Sequence, residues 1–210
     1  MKRVFLAVFV TLAIVFTVWY GYTPVVLEVK TPPKKAAPIV TAATVLEPAK
    51  PIPPFALVDT NGRSFNEQSL FGHWSLLFFG YAACPETCPK TLAIINDVWQ
   101  HMPEAHAHNP IRFLFISLDP KTDTVPKLKE FLGRFNPKFI GLTGDKPSID
   151  NLSKSCSIYA WEDPNSKVIK KIDHSATLIL VDPRGRIRAL FTPPYLKENL
   201  INDLQAIIKN

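Results

Sequence analysis

The chain has 210 residues, of which 47% are hydrophobic and 20% are charged, a balance typical of a globular domain with extensions and not of a disordered chain. Its formal charge of +6 is unevenly spread: residues 1–50 hold six of the 24 Lys and Arg and two of the 18 Asp and Glu, which leaves 18 against 16, or +2, for the rest. A nearly neutral domain argues against nucleic-acid binding, and three cysteines are too few for a disulfide scaffold.

An apolar segment near the N-terminus predicts a membrane anchor. Residues 4–22 carry no charge, end near Trp19-Tyr20 and are long enough to span a bilayer with aromatic rings at the interface. A cleaved signal peptide would instead have a shorter apolar region followed by small residues in an A-x-A-like pattern, which residues 19–24 do not show. Lys2 and Arg3 favour a cytoplasmic N-terminus. We therefore predict an uncleaved single-pass anchor at residues 1–22, with the domain on the non-cytoplasmic side.

Composition divides the rest of the chain into a linker and a domain. Residues 23–50 are rich in Pro, Ala, Val, Thr and Lys, which predicts an extended, semi-rigid linker. Hydrophobic periodicity and turn residues in 51–210 predict, in chain order, a strand at 55–59, a short element at 64–71, a strand at 76–79, a helix at 90–101, a strand at 111–118, a helix at 125–135, a strand at 139–142, a helix at 147–156, strands at 168–172, 176–181 and 187–191, and a helix at 196–209. This order is typical of a thioredoxin-like α/β domain.

Two cysteines occupy the predicted loop and first helical turn after the strand at 76–79. Ligands of such a sheet bind at the carboxyl ends of its strands. At the start of a helix, unpaired N–H groups and the helix dipole stabilise a thiolate. Cys84 and Cys88, four residues apart, can face the same way and converge on one atom. Paired thiolates select Cu(I), Zn(II) or an iron–sulfur cluster, whereas C-x-x-C would have pointed mainly to redox exchange. The C-x-x-x-C spacing leaves both uses open, and a structural disulfide or two buried thiols is the simpler alternative.

A metal at this pair needs a third ligand, and His174 is the strongest candidate. It lies at the entry to the predicted apolar strand at 176–181, where a loop residue could reach the cysteines, although a surface histidine without a ligand fits the pattern equally well. The remaining candidates fit structural roles better: His101, His106 and His108 a solvated loop, Cys156 a small buried side chain, and Asp119, Asp123 and Asp145 turns and caps.

Four sequence blocks resemble the Sco/SenC family of membrane-anchored copper proteins, whereas neither a glycine-rich phosphate loop nor a serine nucleophile elbow is found. The blocks are residues 80–89 (GYAACPETCP), residues 116–120 (ISLDP) with Asp123-Thr124, residues 142–145 (LTGD), and residues 173–176 (DHSA) with 182–185 (DPRG). They follow one another within residues 51–210. The chain has Glu86 where the family usually has Asp, and Ala82-Ala83 where it usually has a polar or larger residue.

The resemblance implies a thioredoxin-like fold and a copper site made by Cys84, Cys88 and His174. It also implies a metallochaperone that delivers copper to the dinuclear copper site of cytochrome c oxidase or reduces the cysteines of that site. The copper-site subunit of the oxidase is then the expected partner, with a copper donor protein as a second candidate. The expected location is the cell inner membrane, with the globular domain in the periplasm.

Three alternatives remain open at this stage. A membrane-tethered thiol–disulfide oxidoreductase would use Cys84 and Cys88 as a redox pair without delivering copper, so whether the chain is an enzyme is not decided. A peroxiredoxin-like enzyme would use Cys84 as nucleophile, but only Thr87 and Thr91 suggest a peroxide site. A tethered domain with a purely structural disulfide would bind no copper under reducing conditions.

Overall fold

The structure is a computed structural model that describes residue 16 and residues 39–102, 111–158, 160–162, 172–174 and 176–209; for 160–162 and 172–174 it describes the backbone only. The fold described below belongs to residues 38–210, which make one compact unit. None of the helices in the described ranges has the length and apolar content needed to cross a bilayer. The predicted anchor at residues 1–22 lies, apart from Phe16, outside those ranges.

The domain contains ten strands, four α-helices and a 3-10 helix among the described residues. In chain order these are β1 (Ala43–Pro51), β2 (Ala56–Asp59), β3 (Ser64–Asn66), the 3-10 helix (Glu67–Leu70), β4 (Trp74–Gly80), α1 (Thr87–Gln100), β5 (Ile111–Ser117), α2 (Val125–Gly133), β6 (Ile140–Thr143), α3 (Lys146–Ser155), β7 (Ala160–Glu162), β8 (Ile172–His174), β9 (Leu178–Val181), β10 (Arg186–Phe191) and α4 (Lys197–Lys209).

Eight strands form one mixed sheet in the order β1-β10-β9-β4-β5-β6-β2-β3, and β7 and β8 form a separate antiparallel pair. The centre consists of β4, β5 and β6, which run parallel, while the pairs on either side are antiparallel. All seven residues of β4 are buried. A continuous apolar run is what a parallel strand covered on both faces requires. The predicted strand at 76–79 is therefore the central strand of the domain.

Three loops meet at one edge of this sheet because β4, β5 and β6 run in the same direction. Gly80 pairs with Ser117 at the ends of β4 and β5, and Leu142 near the end of β6 pairs with Ile116. Ligands of open α/β sheets bind outside the carboxyl ends of the strands. The cysteine loop after β4 therefore lies at this edge together with the loop after β5.

The four helices observed correspond to the four predicted ones, with ends that differ by a few residues. In α1 the buried side chains are Cys88, Thr91, Leu92, Ile95 and Val98. This spacing repeats every three to four residues and places one face of the helix against the sheet. Cys88 is the first residue of that buried face, which brings its sulfur to the end of β4.

β1 lies in a segment that the sequence assigns to the linker. Residues 43–50, expected to be extended and separate from the domain, pair with β10 through a register that shifts between Val45 and Lys50. Proline cannot donate a ladder hydrogen bond, so strands that contain it are confined to sheet edges and bulges. Because of Pro48 and Pro51, the sequence of β1 resembles a linker, although the segment is an irregular edge strand. The predicted strand at 168–172 lies outside the described residues except for Ile172, which begins β8.

Candidate metal centre

Cys84 and Cys88 lie on the connection between the end of β4 and the first turn of α1. The amide N–H of Cys84 donates to the carbonyl of Tyr81 at 3.2 Å, which closes a tight turn just after the strand. Cys88 is the second residue of α1 and fully buried, whereas Cys84 is 8% exposed. The predicted placement, one cysteine in the loop and one in the first helical turn, is confirmed. Cys84 is the more exposed of the two residues.

The two sulfurs contact each other and the start of the helix. The structure carries both as thiols, not as a disulfide. The backbone N–H of Cys88 donates to Sγ of Cys84 at 3.3 Å, and a side-chain hydrogen bond joins the two cysteines. That hydrogen bond, together with burial, holds the pKa of Cys88 far above its ordinary value, and the Asp123 carboxylate acts in the same direction. Cys88 therefore keeps its proton while the helix N–H stabilises negative charge on Cys84.

Gly80 provides the space that the sulfur of Cys88 occupies. A Cβ atom at this position would lie 2.8 Å from Sγ of Cys88 and 2.9 Å from Cε2 of Phe115. Any side chain larger than hydrogen would push the sulfur or the ring aside. The sequence assigns this glycine no role, because the absence of a side chain carries no chemical signal until its neighbours are known.

A buried carboxylate from the loop after β5 holds the cysteine turn. Asp123 is fully buried, and its Oδ2 accepts a hydrogen bond from the Ala82 N–H at 2.9 Å and one from the Ser117 hydroxyl at 2.8 Å. Burial raises the pKa of Asp123. The sequence predicts that Asp123 is a turn or cap residue. That interpretation is incomplete, because the residue bonded to it lies two positions before Cys84.

His174 is the third predicted ligand, and the structure describes only its backbone. It lies on β8 opposite Ala160 of β7. Four residues later β9 begins at Leu178, which pairs with Phe78 of β4. The chain therefore passes from β8 into the sheet at the edge where β4 ends and the cysteine loop begins. The imidazole itself lies outside the described side chains, so its role as a ligand stays a prediction.

The structural roles expected for the other candidates agree with the described residues. Asp145 caps α3 by accepting from the N–H and the hydroxyl of Ser148, each at 2.8 Å. Cys156 is buried at the end of α3, as expected for a small buried side chain. Asp119 accepts from the Thr122 hydroxyl within its own turn. His101 ends α1 beside Asp97, while His106 and His108 lie outside the described residues.

The site therefore offers two adjacent soft sulfur donors at a helix start. Among the side chains that the structure describes, no group of three His, Cys, Asp or Glu is arranged to hold a metal ion. Two thiols suit soft metal ions, and they also suit thiol–disulfide exchange. Because a thiol has to lose its proton before it binds a metal ion, binding to both sulfurs releases protons, so the affinity rises with pH.

Comparisons with known proteins identify the same part of the chain. The sequence model of the family described as SCO1/SenC matches residues 44–209. A Stutzerimonas stutzeri protein named as copper-binding is 33% identical over 159 residues, which are 76% of this chain and 78% of that protein. Mitochondrial SCO2 of Saccharomyces cerevisiae is 38% identical over 137 residues, which cover 63% of this chain and 44% of the yeast protein.

A solved structure adds the fold comparison. ScoI of Bradyrhizobium japonicum, solved with copper bound, has 34% sequence identity and a TM-score of 0.66, and the match covers 74% of this chain and 98% of that one. The shared mixed sheet with its helices confirms the predicted thioredoxin-like α/β fold. The range matched by the family's sequence model, residues 44–209, includes the cysteine loop and β8.

Proposed function

Because the chain belongs to the SCO1/SenC family, we propose that it binds copper and serves the assembly of the dinuclear copper site of cytochrome c oxidase. The observation that carries the proposal is the contact between the thiols of Cys84 and Cys88 at the start of α1. Copper-bound structures of similar proteins, including ScoI of Bradyrhizobium japonicum, support this choice of metal.

The copper ligands in this proposal are Cys84, Cys88 and His174. Two thiolates and an imidazole form a soft, three-coordinate set that suits Cu(I). The space next to Gly80 accommodates the sulfur of Cys88, and β9, the strand after β8, begins beside the end of β4, where the cysteine loop starts. Copper is the cargo here, so the site has to bind it tightly and also release it to a partner that engages the more exposed Cys84.

The remaining parts of the proposal concern location and partners. Residues 1–22 anchor the chain in the inner membrane, the part of residues 23–50 that precedes β1 forms the linker, and the domain faces the periplasm. The recipient is the copper-site subunit of cytochrome c oxidase, and a second copper protein supplies the metal. The uncharged segment at residues 4–22 and the two basic residues before it support this arrangement.

A Cu(I) competition titration of the full chain tests the metal site. We expect one tightly held ion per chain and a loss of affinity of more than about a hundredfold in Cys84→Ala and in Cys88→Ala, since each removes one of two thiolate donors. His174→Ala should lose about ten- to a hundredfold. Cys156→Ala is the matched control and should bind as the wild type does. Wild-type affinity in His174→Ala would remove this histidine from the ligand set.

A thiol–disulfide reductase is the second candidate, favoured by the hydrogen bond between the two cysteines. In that reaction the Cys84 thiolate attacks one sulfur of a partner's disulfide and forms a mixed disulfide. The Cys88 sulfur then displaces the partner, so that the protein pair becomes a disulfide and the partner becomes a dithiol. Electrons and protons move from the protein pair to the partner pair, and no metal is required.

Reduction of an oxidised peptide that carries the two cysteines of the oxidase copper site separates the two functions. A reductase should keep its rate in His174→Ala and lose it in Cys84→Ala, because only the cysteines take part in exchange. If the wild-type chain binds Cu(I) but does not reduce the peptide, the reductase function is excluded and copper delivery is the remaining function.

A further inference from the structure

We propose that Asp123 is a positioning residue for the cysteine pair, which acts by holding the Tyr81–Cys84 turn through the backbone of Ala82. The inference rests on the proposed function in so far as it concerns the two thiols. It goes beyond that function by assigning a role to a residue that is neither a ligand nor a redox group.

The contact crosses between two loops that are far apart in sequence. Oδ2 of Asp123 accepts the Ala82 N–H at 2.9 Å, and Ala82 lies inside the turn closed by the Cys84 N–H and the Tyr81 carbonyl. The same oxygen accepts the Ser117 hydroxyl at 2.8 Å. Because Ser117 is the last residue of β5, the carboxylate joins the turn to the rigid centre of the sheet.

Asp123 itself is held in place from several sides. Its side chain is 1% exposed, and its own N–H donates to the Asp119 carbonyl at 2.9 Å. Oδ1 accepts no hydrogen bond among the described residues and lies 3.7 Å from Nζ of Lys127. A carboxylate buried in this way costs free energy unless its contacts compensate. The hydrogen bond from Ala82 is a charge-assisted contact and is of the stronger kind.

The turn held by Asp123 determines where Cys84 meets Cys88. Cys84 is two residues after Ala82, and its sulfur receives the Cys88 N–H at 3.3 Å. Metal ligands and redox pairs gain from being fixed before they react, since the ordering cost is then already met by folding. Without the hydrogen bond from Ala82 the turn can move away from α1. The effective concentration of the Cys84 sulfur at the Cys88 sulfur then falls.

The test is the equilibrium of the full chain with glutathione, in which the Cys84–Cys88 dithiol and oxidised glutathione give the protein disulfide and two reduced glutathione molecules. We expect Asp123→Ala to lower this equilibrium constant about tenfold, as for the loss of one charge-assisted hydrogen bond. Asp123→Asn keeps an oxygen that can accept from Ala82, so it should stay within about twofold of the wild type.

Two further variants complete the design. Ala82→Pro removes the same N–H from the other partner and should lower the constant as Asp123→Ala does, which keeps the test decisive if the alanine variant does not fold. Asp182→Asn is the matched control, because Asp182 is a buried carboxylate that accepts two backbone N–H groups in the β9–β10 turn at the opposite sheet edge. It should leave the constant unchanged.

Two results would overturn the inference: a wild-type constant in Asp123→Ala, or an Asn variant that falls as far as the Ala variant. The second result would mean that the charge, and not the hydrogen bond, carries the effect. The assay contains no copper. A chain that fails to bind Cu(I) would therefore refute the proposed function without touching this test, and an unaffected Asp123→Ala would refute the positioning role without touching copper binding.

Discussion

At the scale of single residues, Cys84 and Cys88 are only four positions apart, but their thiols lie in different environments. Cys84 is 8% exposed and its sulfur accepts an N–H from the helix start, while Cys88 is fully buried and its pKa is raised. Both thiols could be predicted from the sequence as a pair, because a loop followed by a helix start is visible in the pattern. The difference between them could not, since it depends on the burial of Cys88 beside Gly80 and on the Asp123 carboxylate from the loop after β5.

Gly80→Ala tests the space beside Cys88. The added Cβ would meet Sγ of Cys88 at 2.8 Å and the ring of Phe115 at 2.9 Å. We expect the free energy of unfolding to fall by about 1–3 kcal/mol, as for other overpacked cores, and the Cu(I) affinity to fall by about tenfold because the sulfur is displaced. Chemical denaturation and Cu(I) competition measure the two effects.

Gly133→Ala is the matched control for this variant. A Cβ at position 133, the last residue of α2, meets no atom within 4 Å. Alanine is also the better helix former, so the control should be neutral or stabilised by up to about 1 kcal/mol. If both alanine variants behaved alike, close packing at Gly80 would not be the cause.

Cys156 gives a prediction about pH. Burial raises the pKa of this thiol from its ordinary value near 9 to about 11. The folded state therefore keeps the proton where the unfolded state loses it, and the stabilisation present below pH 9 is lost as the pH rises towards 11. Between pH 8 and 10.5 the wild type should lose roughly 2 kcal/mol more than Cys156→Ala in urea unfolding. Parallel losses in the two proteins would contradict this assignment.

At the scale of elements, the edge strand β1 depends on a helix that is distant in sequence. Asp203 of α4 is buried, and its carboxylate accepts the N–H groups of Thr41, Ala42 and Ala43 at 2.9, 2.7 and 2.8 Å. These contacts hold the start of a strand whose prolines weaken its ladder. The apolar periodicity of the sequence predicts α4. It does not indicate that Asp203, a polar residue within the helix, contacts the start of β1.

Asp203→Ala should release the start of β1. The variant leaves three backbone donors without their carboxylate acceptor, so we expect a loss of roughly 2–3 kcal/mol in the free energy of unfolding. Hydrogen exchange should accelerate in residues 41–45 before it does in β4. Glu130→Ala is the control, since its ion pair with Arg134 is exposed on both sides and should contribute no more than about 0.5 kcal/mol. Unchanged exchange in β1 would show that pairing with β10 is sufficient.

At the scale of the whole molecule, the chain combines a domain with an N-terminal extension of different composition. The family match begins at residue 44, close to the first residue of β1. We expect the full chain to sediment with membranes and to resist extraction with carbonate, because residues 4–22 are uncharged and long enough to span the bilayer. A fragment of residues 38–210, the compact unit that holds the fold, should stay in the supernatant.

Membrane fractionation of cells that express either form measures this difference. Protease added to intact spheroplasts should degrade the domain of the full chain, since Lys2 and Arg3 favour a cytoplasmic N-terminus. A full chain recovered in the supernatant would contradict the anchor, and a protected domain would contradict its orientation.

Local pattern was sufficient for much of this protein. The elements and their order can be predicted from apolar runs such as residues 74–79 and from the periodic apolar faces of the helices. This is possible because the spacing of apolar residues along the chain indicates which side chains are buried. The C-x-x-x-C spacing and the blocks around it likewise indicated the family and a soft-metal or redox pair.

The tertiary structure alone decided which groups that are distant in sequence come into contact. Asp123 accepts a hydrogen bond from Ala82 across 41 residues, Gly80 leaves space for Cys88, and Asp203 holds the first residue of β1 across 160 residues. These contacts join side chains to backbone atoms, or depend on a side chain that is absent. The residue type at one position therefore does not indicate which residue it contacts. Such partners are set by how the sheet brings loops together, and that requires the folded chain.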